Sequence, residues 1–326
     1  MNIIKEKEND TLSLMDKIEQ KEVLEELEDY YLEYRDSLYF DDRITFGFEI
    51  EFENMDFNVV NKNFERTLPK GWHVKNDDTL NNGGEITTNI LTDNLATWHS
   101  VKTICERVRD FAEVGVNTGS HIHVGTQVLG DNPSSWLNFM KLWSVYENII
   151  YRFCYGEYLN ARPNIEETAF PMADLFWEYA KKFKNEDNCL GIVRRIILPR
   201  NVGVNFKNVH EGTKEKKGNT IEFRCPNGTL NEVVWQNNLN LLIHLINYAK
   251  SNNFDEYKIE KRKYINRNII YNIDYYNNID IDMAFELSDM IFDNNIDKLY
   301  FLKQYFKSFQ VCNNKKLYKK AKIFTK

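Results

Sequence analysis

The chain has 326 residues, of which 42% are hydrophobic, 28% charged and 14% aromatic. That balance excludes a disordered, collagen-like or coiled-coil protein and predicts a soluble globular one with an aromatic core. The net charge of −7 sits in residues 1–43, which hold 14 acids against 6 bases, while the remaining 35 acids and 36 bases balance and leave no basic excess for nucleic acid.

The opening MNIIKEKEND is acid-rich and lacks the apolar h-region of a signal peptide. No apolar run approaches the ~20 residues that span a bilayer. A cytoplasmic protein with no membrane partner is therefore expected. Residues 12–39 read as one long polar helix with Leu24, Leu27, Tyr31, Tyr34 and Leu38 in 3-4-3-4 spacing. That seam is too short for a coiled coil. It suits docking on the body, on a twin subunit in a homo-oligomer, or on a protein partner.

A strand follows in ITFGFEIEFEN. Ile44, Phe46, Phe48, Ile50 and Phe52 alternate with Thr45, Gly47, Glu49, Glu51 and Glu53, the period-2 mark of a sheet with one face on a core. Gly71 to Asn76 is a second extended stretch and GGEITTNI a third. Leu95, Trp98, Lys102, Cys105, Val108 and Ala112 share a helix face that Gly115 ends. SHIHVGTQV reads as a strand. A long apolar helix from Ser134 carries Trp136, Phe139, Met140, Trp143, Ile150 and Phe153 in period. Met172 to Phe183 is a further helix. RNVGVNFKNV, a lysine-rich loop from Gly212 to Gly218, the strand NTIEFRC and a helix from Asn231 to Ala249 complete the body.

Beyond Ser251 the chain is Asn-, Tyr- and Lys-rich, with helices near Met283–Phe292 and Ile296–Phe309 and six lysines after Cys312. Five scattered cysteines with no CxxC read as reduced thiols. The sequon Asn227-Gly228-Thr229 is set aside for want of a secretion signal. The expected division is an acidic extension over 1–42, a catalytic domain over 43–250 and a helical segment over 251–326. Strands and helices do not alternate strictly, which predicts α+β with a mainly antiparallel sheet.

Four strand segments each place polar groups on one face at i, i+2 spacing: Glu49 and Glu51; Glu85, followed by Thr87; His121 and His123; Glu222 and Arg224. Their opposite faces are apolar, so one shared core puts all four polar faces on one side of one sheet. Four carboxylates gathered there repel unless their pKa values rise or cations neutralise them. Carboxylate oxygens with one or two imidazoles suit Mg²⁺ or Mn²⁺. Such ions complete their shells with water and phosphate, which implies a nucleotide. Gly47 and Gly125 lie on the same face and are expected to leave room for a ligand.

FGFEIEFE, DDTLNNGGEITT, GVNTGSHIHVG, RNVGVNF and TIEFRCPNGTLN, in that order, resemble the amidoligases of the carboxylate–amine ligase superfamily that includes glutamine synthetase and glutamate–cysteine ligase. The resemblance covers roughly residues 44–248. It implies a curved antiparallel sheet with helices outside, holding ATP and two or three Mg²⁺ ions, and an acyl phosphate route to an amide or peptide-like bond. Carried over by position, Glu49, Glu51, Glu85 and Glu222 resemble the metal ligands. His123 or His121 resembles the histidine on metal or phosphates. Arg224 resembles the arginine on the nucleotide phosphates. Arg200 and Asn205 match the segment before that strand and are candidates for phosphate or substrate contact, although Asn201 stands where an aromatic is common. Asp78 or Asp77 is a candidate to draw or deprotonate the amine. The partners implied are ATP, a carboxylate and an amine, small molecule or peptide.

Other readings compete. A phosphotransferase or nucleotidyltransferase could share the site, and a non-catalytic nucleotide-binding module could dock through the acidic helix. A cupin-type histidine–metal enzyme fits poorly, because HIHVGTQVLG lacks the glutamate that should follow its HxH.

Overall fold

The computed structural model describes residue 27 and residues 32–54, 57–64, 67–183, 189–196, 198–199, 201–209 and 218–307. The expected N-terminal helix up to residue 26, Tyr31, Arg200, the lysine-rich loop over 212–217 and the basic tail after Cys312 lie outside them.

In chain order the elements are β1 (Phe46–Phe52), α1 (Phe57–Phe64), β2 (His73–Asn76), β3 (Gly84–Thr87), α2 (Leu95–Phe111), β4 (Ser120–Gly125) and α3 (Pro133–Cys154). A single helical turn at Ile165–Thr168 precedes α4 (Ala173–Lys182), α5 (Cys189–Arg195), β5 (Val204–Asn205), β6 (Thr220–Phe223) and α6 (Glu232–Lys250). The chain closes with α7 (Glu256–Ile265), α8 (Ile273–Asn277), α9 (Ile281–Ile291) and α10 (Asn295–Phe306). Six strands form one antiparallel sheet in the order β2-β3-β1-β4-β6-β5. The fold is α+β, as expected. Among the described residues no helix is long and apolar enough to cross a membrane.

Register decides which residues share a face, because directly opposed residues in an antiparallel pair point the same way. Phe48 opposes Ile122, which opposes Phe223, which opposes Val204. Ile50 opposes Ile86, which opposes Val74. This apolar face packs on indoles from three helices. Phe46 stacks on Trp98 of α2 at 5.6 Å, Phe48 meets Trp235 of α6 at 4.8 Å, and Phe223 meets Trp143 of α3 at 5.8 Å. Full burial of each such side chain stabilises by about 1.5–3 kcal/mol. The core therefore lies behind the sheet and leaves the other face free of helices from this layer.

Several boundaries differ from expectation. Residues 32–40 are not helical. Their backbone N–H groups are taken by the body instead: Glu33 donates to the Tyr300 hydroxyl, Arg35 to Gln236, and Leu38 and Phe40 to Asp93. Those acceptors compete directly with the i→i−4 ladder. β4 stops at Gly125, and Thr126–Val128 form a 3-10 turn. α2 ends at Phe111, short of Gly115, and its buried face runs through Trp98, Val101, Ile104, Cys105 and Val108 while Leu95 is exposed. The Asn and Asp bias beyond Ser251 has a local cause. Asp255, Asn272, Asp280 and Asn294 each accept a backbone N–H at the start of α7, α8, α9 and α10.

Buried charge ties the layers together. Glu147 of α3 accepts from Trp143 Nε1, the backbone N–H groups of Met172 and Ala173, and the Tyr276 hydroxyl, all within 2.6–2.7 Å. A carboxylate of one helix thus caps the N-terminus of α4. Glu157, beyond α3, is 1% exposed and bonded to Thr229. Burial pushes its carboxyl from 4.5 up to about 7. The raised folded value means that the native state holds a proton the unfolded chain has lost between those two pH values. Stability therefore falls as pH rises through that window, by about 3 kcal/mol. Glu157→Gln is expected to flatten this slope in urea melts between pH 4.5 and 8; an unchanged slope would refute the assignment.

Candidate active site

The polar face follows from the same register. Lys75 opposes Glu85, which opposes Glu51; Glu49 opposes Thr87 on one side and His121 on the other; His123 opposes Gly47 and Glu222; Glu222 opposes Asn205. The register thus puts the polar groups of the four expected segments on one face, and β2 and β5 extend it with Lys75 and Asn205. Glu49, Glu51, Glu85, His121, His123, Glu222, Arg224 and Asn205 line one cavity of about 710 Å³. A larger cavity of about 1090 Å³ lies between residues 33–44 and helices α6 and α10. It lacks converging ligands: among the described residues, both trios of metal-competent side chains fall in the smaller one.

The first trio is Glu49, His123 and Glu222, and the second is Glu51, Asp77 and Glu85; in each the donor atoms lie within 4.8 Å of one another. His121 stands between them. Its Nδ1 is 2.7 Å from Glu49 and its Nε2 3.4 Å from Glu51. The one ring thus stands between the carboxylates of Glu49 and Glu51. His123 Nε2 reaches the other oxygen of Glu49 at 3.1 Å and its Nδ1 meets Thr220 at 3.2 Å. Glu222 is fixed by Arg224 Nη1 at 2.6 Å and Asn205 Nδ2 at 3.1 Å, and Glu85 meets Lys75 at 3.0 Å.

Electrostatics follow this wiring. Burial alone would raise the Glu49 carboxyl, but its bonds to His121 and His123 outweigh it and hold the group well below the usual carboxylate range. Burial would lower His123, yet the bond to Glu49 wins and pushes the imidazole up. Glu51 goes the other way: burial pushes it up against the opposing pull of His121, the Gly119 N–H and Arg162. The donor chemistry of both trios fits hard divalent ions. Carboxylate oxygens dominate, and Glu51 and Glu222 are each only 7% exposed.

Not every expected residue joins this set. Asp78 is absent from the cavity lining and sits in a separate shallow pocket, its carboxylate taken by the Asn76 side chain; Asp77 is the one that turns into the site. Asp77 borders both hollows, whereas Asp78 lines only the outer one. Asn205 is committed to Glu222 and to the Lys207 N–H, so it positions a carboxylate. At Gly125 the space that a Cβ would take is filled by Gln127 and Thr45, which corrects the expectation of ligand room there.

Arg162, Thr168 and Glu167 also line the cavity, from the loop and turn after α3, and Lys75 lies at its edge beside Glu85. Sequence reasoning missed them. Arg162 and Thr168 lie in NARPNIEETAF, which has no period to assign a face. Lys75 carried a signal in retrospect, since pairing HVKN with GGEIT in register opposes it to Glu85.

A family model described as putative amidoligase enzyme matches residues 69–246, more than half of the chain. The matched stretch holds Asp77, Glu85, His121, His123, Arg162, Asn205, Glu222 and Arg224, and it begins after β1 with its Glu49 and Glu51. No curated protein matches the chain. With Glu85, both strand histidines and Glu222 all inside the matched region and gathered in one cavity, the chain belongs to the putative amidoligase enzyme family.

Proposed function

We propose that this chain is an ATP- and Mg²⁺-dependent carboxylate–amine ligase with a glutamine-synthetase-like catalytic sheet. The observation that carries the reading is the pair of trios, Glu49/His123/Glu222 and Glu51/Asp77/Glu85, gathered in one cavity on a single sheet face. These six residues would hold the Mg²⁺ ions, which supply charge neutralisation for phosphoryl transfer. The carboxylate substrate attacks the γ-phosphate of ATP, releasing ADP; the amine then attacks the activated acyl carbon and phosphate leaves.

The protein's own part is positional and electrostatic. Asn205 and Arg224 lock Glu222 from two sides, and the Arg224 Nε bond to the Thr168 carbonyl at 3.2 Å holds that guanidinium at the cavity wall. Arg224 is thus placed to offset charge on a transferring phosphoryl group. Of the two adjacent aspartates only Asp77 lines this cavity, and as a member of the second trio it is assigned to an ion rather than to the amine. Holding both substrates in one cavity contributes an entropic share of the rate.

The test is ADP release measured against a panel of carboxylates and amines. The expected result is turnover that requires Mg²⁺ and both substrates, with the amide identified by mass spectrometry. A phosphorylated or adenylylated acceptor in place of the amide ends the proposal.

A further inference from the structure

A guanidinium lies buried beside these carboxylates without an acid of its own. Arg162 is 5% exposed and lines the same cavity as the two trios. Among the described residues it forms no ion pair; its bonds run to neutral acceptors. Nη1 donates to the Pro226 carbonyl at 2.6 Å, Nη2 to the Arg224 carbonyl at 3.0 Å, and Nε and Nη2 both reach the Thr168 hydroxyl, at 3.2 and 3.1 Å. Arg224 is the contrast, since Glu222 neutralises it.

A guanidinium has five N–H donors and does not shed its proton near neutral pH. Four are used here, which leaves one on Nη1. That nitrogen packs on Gly119: a Cβ there would sit 3.3 Å from Nη1 and 3.4 Å from His121 Nε2. Glu51 is the acid whose charge Arg162 feels most, but Glu51 is already engaged by the Gly119 N–H and His121. A buried cation with no partner of its own is strongly disfavoured until an anion reaches it. The three fixed acceptors also hold the fork in one orientation, so an incoming anion meets a preorganised donor.

We propose that Arg162 seats a substrate oxyanion through Nη1, either the carboxylate to be activated or an oxygen of the transferring phosphoryl group. The naming of these two sources rests on the ligase reading; the anion seat itself does not. The same side chain holds the turn that leads out of β6, since it binds the carbonyls of Arg224 and Pro226.

The experiment is calorimetry on the full chain, comparing wild type with Arg162→Met and Arg162→Lys. The titrants are inorganic phosphate, glutarate, and a non-hydrolysable ATP analogue with Mg²⁺. Arg162→Met is expected to weaken at least one anion about tenfold or more, and Arg162→Lys about threefold to tenfold, because lysine keeps the charge and loses the fork. Loss on glutarate alone assigns the carboxylate; loss on phosphate and the analogue assigns the phosphoryl group. Unchanged affinities in Arg162→Met for every titrant, or a wild type that binds none of the three, overturn the proposal. If Arg162→Met does not fold, Arg162→Lys decides by the same comparison. An analogue that binds wild type and both variants equally removes the phosphoryl seat and leaves the ligase reading standing. Anions bound through Arg162 without any analogue binding do the reverse. A purely structural role would lower the melting temperature of the variants without changing the rise that each anion produces.

Discussion

Glu222→Ala is expected to reduce ADP release roughly 100- to 1,000-fold at saturating ATP and Mg²⁺, the usual cost of deleting one preorganised electrostatic group from a reacting centre. Three features single out this residue. It belongs to the trio with Glu49 and His123, it is 7% exposed, and two neighbours, Asn205 and Arg224, are spent on holding it. Truncation removes a proposed ligand and also frees Arg224 from its fixed geometry. The loss should fall on kcat more than on KM, because a phosphoryl group in transfer carries charge that bound ATP does not present in the same place. Truncation also leaves Asn205 and Arg224 without this acceptor, so a urea melt of the variant is needed to separate loss of the ligand from loss of the fold. Activity within about threefold of wild type would remove Glu222 from the centre and take the metal reading of the first trio with it.

How much of this arrangement was legible beforehand depends on the kind of residue. The sheet face was readable because strand side chains alternate strictly. Once Phe48, Ile50, Ile86, Ile122 and Phe223 are placed on a core, Glu49, Glu51, Glu85, His121, His123 and Glu222 have only one other side to occupy. No comparable rule governs the loops. Asp77 and Asp78 are adjacent, and which of them enters the site is set by a turn of three or four residues whose backbone angles the sequence does not encode in any periodic way. Arg162 is a stronger case. It reaches the site from a loop that follows a helix on the far side of the sheet, and its neighbours there, Gly119, Arg224 and Pro226, are distant in sequence. Residues 32–40 depart from the expected helix for a different reason. Tyr34 and Leu38 do have helical spacing, but Tyr300, Gln236 and Asp93 offer the segment's N–H groups better partners than its own carbonyls.

The neutralisation of the carboxylates was also only half visible. Of the residues that strand spacing puts on that face, Arg224 is the one permanent cation among four acids. Each carboxylate in fact has its own basic or N–H partner: Glu49 the two histidines, Glu51 the Gly119 N–H with His121, Glu85 Lys75 and Glu222 Arg224. A divalent ion bound as proposed would have to compete with those partners for the same oxygens. Lys75 is the most exposed competitor, so Glu85 is the oxygen donor most cheaply released.

The helical segment after Ser251 carries the second large expected effect. Glu286 of α9 is fully buried, and its carboxylate is shared by Arg262 of α7 and the Tyr146 hydroxyl of α3. One side chain thus joins two helices of the C-terminal segment to the longest helix behind the sheet. Glu286→Ala leaves the Arg262 guanidinium buried and unpaired and the Tyr146 hydroxyl without its acceptor. The expected destabilisation is about 3–5 kcal/mol, read from urea denaturation near pH 7. Replacing both members of the pair, Arg262→Met with Glu286→Leu, should cost much less, because no charge is then stranded. The shape of the transition carries a second reading. If residues 256–306 form one cooperative unit with the sheet layer, fluorescence of the indoles behind the sheet and far-UV ellipticity shift together in Glu286→Ala. A separate early phase in ellipticity alone would mean that the C-terminal helices melt by themselves, and that the clamp at Glu286 does not couple them to the body.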